Sequence, residues 1–152
     1  MKDIQNSLGY LLNTAARLIK GECNSKLQEY GITTSQWAVI SDINTQEEKE
    51  EGIEAFLQIA IAQRLHSDRT TISQVIDKLE EKKLVIREKN SQDRRSFIVR
   101  ITNEGKALVN RLEGLTEKII NEATKHLDQK EYDALIRSLN KIINDLSKNK
   151  GL

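Results

Sequence analysis

The sequence predicts a mostly helical α+β chain in the order α-α-α-α-β-β-α-α. Three observations carry this. Apolar residues recur at three- and four-residue spacing through both ends of the chain, as amphipathic helices require. Residues 97–101, Phe97-Ile98-Val99-Arg100-Ile101, alternate as a strand does. None of the 152 residues is proline, so no helix is obliged to break. Charged residues make up 31 % and aromatics only 4 %, the balance of a well-solvated helical protein.

Each element follows from its own pattern. Ile4, Leu8, Leu11, Ala15, Leu18, Ile19 and Leu27 mark one long helix over 4–29, with Gly31 placed as its cap. Thr33 and Gln36 form a capping-box pattern ahead of Trp37, Val39 and Ile40. The run Gln46–Gly52 is acidic without periodicity and reads as an exposed, mobile connection. A third helix is expected from Phe56 to Leu65, then a turn at His66-Ser67, then a fourth helix over 68–82 with Ile72, Val75, Ile76 and Leu79 as its stripe.

Strands are expected at Leu84–Arg87 and Phe97–Ile101, with Phe97, Val99 and Ile101 on one face and Ile98 and Arg100 on the other. Between them Glu88–Ser96 forms a charged tip turning at Asn90-Ser91. Thr102 caps the next helix, and Asp128 with Glu131 forms a second capping box before the last. No internal repeat is detectable.

Several function classes fall away. A single cysteine, Cys23, cannot frame a disulfide-built secreted domain. MKDIQNSLGY lacks the apolar run of a signal peptide, and no stretch approaches the ~20 apolar residues that span a bilayer. A cytoplasmic protein without membrane partners is expected. His66 and His126 stand apart with no cysteine or histidine cluster, so no metal is expected, and the acidic run Glu47–Glu54 reads as solvated loop. No cofactor is expected either. With no glycine-rich phosphate loop and no Ser-His-Asp arrangement, an enzyme is the weakest reading.

Charge distribution says more than the net charge of +1. Residues 31–65 carry a net −4 and residues 66–100 a net +3, a modest basic footprint of the kind a phosphate-contacting face needs. Helix, short turn, helix and basic hairpin together make a winged helix-turn-helix. The helix over 68–82 buries a narrow stripe and presents Arg69, Thr70, Thr71, Ser73, Gln74 and Lys78, short polar groups suited to the major groove and its phosphates. Lys89 is a further candidate phosphate contact. Arg94 and Arg95 supply long cations at the hairpin tip. The bland alternatives are a polar surface helix and a solvated arginine pair.

The segment Asp93-Arg94-Arg95-Ser96-Phe97-Ile98-Val99-Arg100-Ile101-Thr102-Asn103-Glu104-Gly105 resembles the wing signature of the MarR family of bacterial regulators: Asp, any, Arg, three free positions, aliphatic, any, aliphatic, Thr, two free, Gly. Asp68–Ser73, Asp77–Val85, and Ile32-Thr33 with Gln36-Trp37 are similar to that family's recognition helix, wing entry and second-helix start. The resemblance implies a homodimer on pseudo-palindromic double-stranded DNA, expected to act as a repressor and to be released by a small aromatic or anionic effector.

It also implies Arg95 as minor-groove reader, Asp93 as wing support, and an effector cavity between the dimerisation helices and the lobe. Tyr10, Arg17 and Trp37 are candidates to face that cavity. Two departures stand out. The connection over 46–54 is long, and Lys83 stands where glycine is common, so the helix end is expected to lack a left-handed cap.

Dimerisation has support of its own. A first helix about 40 Å long cannot be covered by the winged lobe alone, and the last helix carries Leu135, Leu139, Ile142 and Leu146. Residues 1–32 and 104–152 are therefore expected to dimerise and 33–103 to form the DNA-binding lobe. Some relatives sense oxidants through a cysteine whose place falls near Gly9 here. Cys23 lies about four turns later, beside Glu22, and reads as a packing residue. The competing class is a winged-helix protein-interaction module without DNA binding.

Overall fold

A computed structural model describes residues 3–149. Residues 1–2 and 150–152, the outer ends of the two regions expected to dimerise, lie outside the described residues. The order is α1 Leu8–Gln28, α2 Thr34–Glu48, α3 Gln58–Arg64, α4 Arg69–Glu81, β1 Val85–Lys89, β2 Phe97–Ile101, α5 Asn103–Ala123 and α6 Gln129–Asn149, with 3-10 turns at Ile4–Asn6 and Ile53–Phe56. β1 and β2 pair antiparallel from Val85 opposite Ile101 to Lys89 opposite Phe97.

Both capping boxes form. Thr33 Oγ1 accepts from the Gln36 amide at 3.1 Å while Gln36 Oε1 accepts from the Thr33 amide at 3.3 Å. Asp128 and Glu131 exchange the same pair of bonds, both at 2.9 Å.

Several expectations need correction. The helix over 4–29 is broken at Ser7, whose hydroxyl caps α1 by accepting from the Tyr10 amide. The acidic run is no mobile connection at its start: α2 continues to Glu48, anchored by Gln46, which is 9 % exposed. Phe56 belongs to the 3-10 turn and is fully buried, so α3 starts only at Gln58. The alternation in β2 also fails, because Ile98 and Val99 are both buried while Phe97 is 46 % exposed. Leu57 bridges to Ile98, and the Arg100 guanidinium lies 4.1 Å from the centre of the Phe56 ring. The 3-10 turn therefore covers the strand face that alternation assigns to solvent.

The left-handed cap at Lys83 is present after all, with φ +60°. The Lys83 amide donates to Glu80 O at 2.9 Å and the Leu84 amide to Leu79 O at 3.0 Å, the paired bonds of a Schellman motif. The same pair closes α1 at Gly31, α2 at Glu50 and α3 at His66, all with positive φ. Side chains other than glycine therefore hold three of these four turns, against a local cost of about 1 kcal/mol each.

All buried apolar residues among those described lie between Leu27 and Leu112. Outside that span, α1 leaves Leu8, Leu11 and Leu18 exposed, and α6 buries none of its residues. Leu135, Ile136, Ile143 and Leu146 of α6 are each more than 40 % exposed.

Candidate nucleic-acid interface

Local rules place α4. The α3–α4 turn closes through His66 in the left-handed region, and Asp68 then caps α4: its Oδ1 accepts from the Thr71 amide at 2.8 Å. The Thr71 hydroxyl donates to Asp68 Oδ2 at 2.7 Å. The amide bond first, then the hydroxyl, hold the Asp68 carboxyl below its ordinary range. This cap is thus complete above the usual carboxylate range and fades as pH falls through the lowered value.

Ile72, Ile76 and Leu79 are buried, which turns Thr70, Gln74 and Lys78 outward on one face with Thr71 beside them. Arg69 is exposed at the first turn. Lys78 lies 3.3 Å from Glu81 in an exposed pair of little worth. Ser73 is half-buried on the flank facing the wing, apart from Thr70 and Gln74.

The wing tip is a hydrogen-bonded turn. The Asn90 amide donates to Ser96 O at 3.1 Å, Asn90 Oδ1 accepts from the Gln92 amide at 2.9 Å, and Asn90 is only 6 % exposed. Asp93 Oδ1 accepts from the Arg95 amide at 3.0 Å, so its contact with Arg95 is to the backbone and not to the guanidinium. Arg94, Arg95 and Lys89 are exposed, and among the described residues none of them is in an ion pair. At the wing's base, Thr102 binds Lys83 O at 2.8 Å and accepts from the Gly105 amide at 3.0 Å. A Cβ at Gly105 would sit 2.2 Å from Leu84 O, which is why glycine stands there.

Two side chains that composition does not single out tie this surface together. Lys82 Nζ donates to Gly31 O and, at 2.8 Å, to Gln36 Oε1, joining the end of α4 to the α1–α2 turn. Arg87 of β1 reaches α4 and α3, pairing with Asp77 and Glu80. The sequence signal for Arg87 is a pair of acids, Asp77 and Glu80, on one flank of α4 shortly before the strand; Lys82, whose partners Gly31 and Gln36 are remote in sequence, has none.

Among the described residues, the candidate effector residues line no common hollow. Trp37 lines a hollow of about 570 Å³ with Cys23, Glu113, Glu117 and Tyr132. Arg17 lines another, about 560 Å³, with Asn13, Lys20 and Thr34. Tyr10 lines neither and is 44 % exposed. An apolar groove of about 440 Å³ runs between α1 and α5, walled by Leu18, Ile19, Leu115 and Ile119. Cys23 is half-buried; burial first, then Glu22, push its thiol pKa up. Among the described residues no cluster of three potential metal ligands occurs, and no helix is long and apolar enough to cross a membrane.

Residues 23–112 match the family described as Transcriptional regulator SarA/Rot. The HTH-type transcriptional regulator SarZ of Staphylococcus epidermidis is 26 % identical over 141 residues, covering 92 % of this chain and 88 % of that protein. Among solved structures, S. aureus MepR in its DNA complex superposes with a TM-score of 0.82 at 22 % identity, covering 95 % of this chain and 99 % of that one. The reduced form of MarR from E. coli gives a TM-score of 0.72 at 25 % identity, covering 93 % and 98 %.

Proposed function

Since the chain belongs to the SarA/Rot transcriptional regulators, winged-helix proteins of the MarR kind, we propose that it regulates transcription as a homodimer reading DNA with α4 and the wing. The carrying observation is the juxtaposition of two surfaces. The outward face of α4, with Thr70, Gln74 and Lys78, is followed by a wing whose exposed Arg94 and Arg95 have no ion pair among the described residues. Arg69 and Thr71 flank the helix N-terminus, where the Asp68 carboxylate already takes the Thr71 amide, so the Arg69 guanidinium supplies the charge that would meet a phosphate. Ser73 serves from the wing-facing flank, and Asp93 supports Arg95 through its backbone.

Dimerisation is supported by the open apolar faces of α1 and α6, whose burial contributes at about 25 cal/mol per Å². A two-fold dimer seated in adjacent grooves excludes other proteins from that DNA, so repression is the proposed sign. The work is done by binding, in the cytoplasm, and not by turnover. An aromatic effector entering beside Trp37 would act between the dimerisation helices and the lobe.

Gel shifts against the DNA upstream of its own gene, with Arg95→Ala as control, test this reading. Wild-type binding should weaken steeply with salt through counterion release, and the variant should lose about 1–3 kcal/mol. Salt-independent binding, or unchanged affinity in the variant, would favour a protein-interaction module or remove Arg95 from the interface.

A further inference from the structure

Arg87 sits mid-strand in β1, opposite Val99, with its side chain 18 % exposed. Every nitrogen of its guanidinium is engaged. Nη2 lies 2.7 Å from Asp77 Oδ1 and donates to Ser73 O at 3.3 Å; Nη1 lies 3.0 Å from Glu80 Oε1; Nε donates to Gln58 Oε1 at 3.1 Å. The Arg87 amide donates to Glu80 Oε2 at 3.1 Å. Ser73, Asp77 and Glu80, at i, i+4 and i+7, share one flank of α4. That flank lies between the buried stripe and the outward face of Thr70, Gln74 and Lys78. A single side chain thus fastens the wing strand to α3 and to the edge of the helix that would read DNA.

We propose that Arg87 is a positioning residue: it sets the angle between α4 and the wing, so that both engage one stretch of DNA together. It does so without touching DNA itself. Leu57 touches the hairpin from the β2 side through its bridge to Ile98, whereas β1 is an edge strand with no sheet neighbour beyond β2 to fix its tilt. The apolar side of the hairpin, through Val85 and Val99, holds it to the core. The forked, charge-assisted contacts of Arg87, on that same face two residues further along β1, supply direction toward the wing tip. They also neutralise Asp77 and Glu80, two carboxylates beside a face that would meet phosphate. The inference rests on the DNA-binding reading.

The test compares wild type, Arg87→Gln, Arg87→Lys and Glu80→Gln by hydroxyl-radical footprinting and salt titration on the bound DNA. Arg87→Gln should weaken binding about tenfold, the scale of a lost charged hydrogen-bond set. Protection at the wing should be lost while protection under α4 persists. The slope of log affinity against log salt should fall only as far as it does when Arg94 and Arg95 are themselves replaced by alanine, because those cations leave the DNA with the wing. Arg87→Lys should not restore the wing footprint, because an ammonium cannot bridge four acceptors in a plane. Glu80→Gln keeps the arginine and should show the same wing-selective loss in weaker form, which guards against Arg87→Gln failing to fold.

Adding Asp77→Asn and Glu80→Gln to Arg87→Gln should leave binding weak; full recovery would make charge neutralisation the whole effect and overturn the positioning role. A slope lowered by about one with the wing footprint intact would make Arg87 a phosphate ligand, and an unchanged footprint with an unchanged slope would also overturn the proposal. Absence of any footprint in wild type would instead remove the DNA-binding reading beneath it.

Discussion

The winged lobe and the terminal helices solve the burial problem in opposite ways. The lobe covers its own apolar residues: Ile40, Ile43, Ile61, Ile76, Leu79, Val85 and Val99 have no exposure, and even its polar ties, such as Asp42 with Arg64 at 2.7 Å, are internal. The helices α1 and α6 instead hold Leu11, Leu18, Leu135, Ile143 and Leu146 open. Each helix thus keeps an apolar stripe in water, the kind of surface that marks an interaction site. One region is specified by contacts within the chain, and the other, on the proposed reading, is finished by a second copy. Substitutions should therefore separate into those that unfold the lobe and those that part the dimer.

The sharpest break in the comparison should come from α6. Ile136→Glu combined with Ile143→Glu should yield monomers by sedimentation and lower DNA affinity about a hundredfold, through loss of the linked second half-site. The lobe's far-ultraviolet signature and cooperative melting should persist. Within the lobe, Asp42→Ala leaves Arg64 with only the Ala55 carbonyl, so chemical denaturation should show a loss of about 3 kcal/mol. Gly105→Ala forces a Cβ against Leu84 O and should cost about 2 kcal/mol by the same measurement. Both changes should leave the dimer of the folded protein intact.

Smaller effects sharpen the picture. Lys83→Gly relieves a left-handed residue and should raise stability by about 0.5–1 kcal/mol, seen as a higher Tm. Cys23, with its thiol pushed up by burial and by Glu22, should alkylate more slowly near neutral pH than a free cysteine. Equal rates would contradict its packing role.

What the sequence makes legible is local. Thr33 with Gln36, Asp128 with Glu131, and Thr102 with Gly105 are short-range patterns whose hydrogen bonds form within four residues, and each forms as spacing dictates. The order of elements, the stripe of α4 and the charged hairpin are legible for the same reason. What fails depends on remote neighbours. Gln46 keeps an acidic run helical because it is buried, and Phe56 with Leu57 covers a strand face that alternation gives to water. Arg87 and Lys82 look like surface cations until the fold brings Asp77, Glu80, Gly31 and Gln36 to them. Lys83 shows that a missing glycine does not forbid a left-handed cap when tertiary bonds hold the turn.

The central claim, a dimer that reads DNA with α4 and the wing, is tested most directly by selecting bound DNA from a random pool with the purified protein. The account predicts enrichment of a pseudo-palindrome with half-sites one helical turn apart, roughly 34–36 Å. A pool that stays unenriched, or one enriched in a single asymmetric half-site, would contradict it.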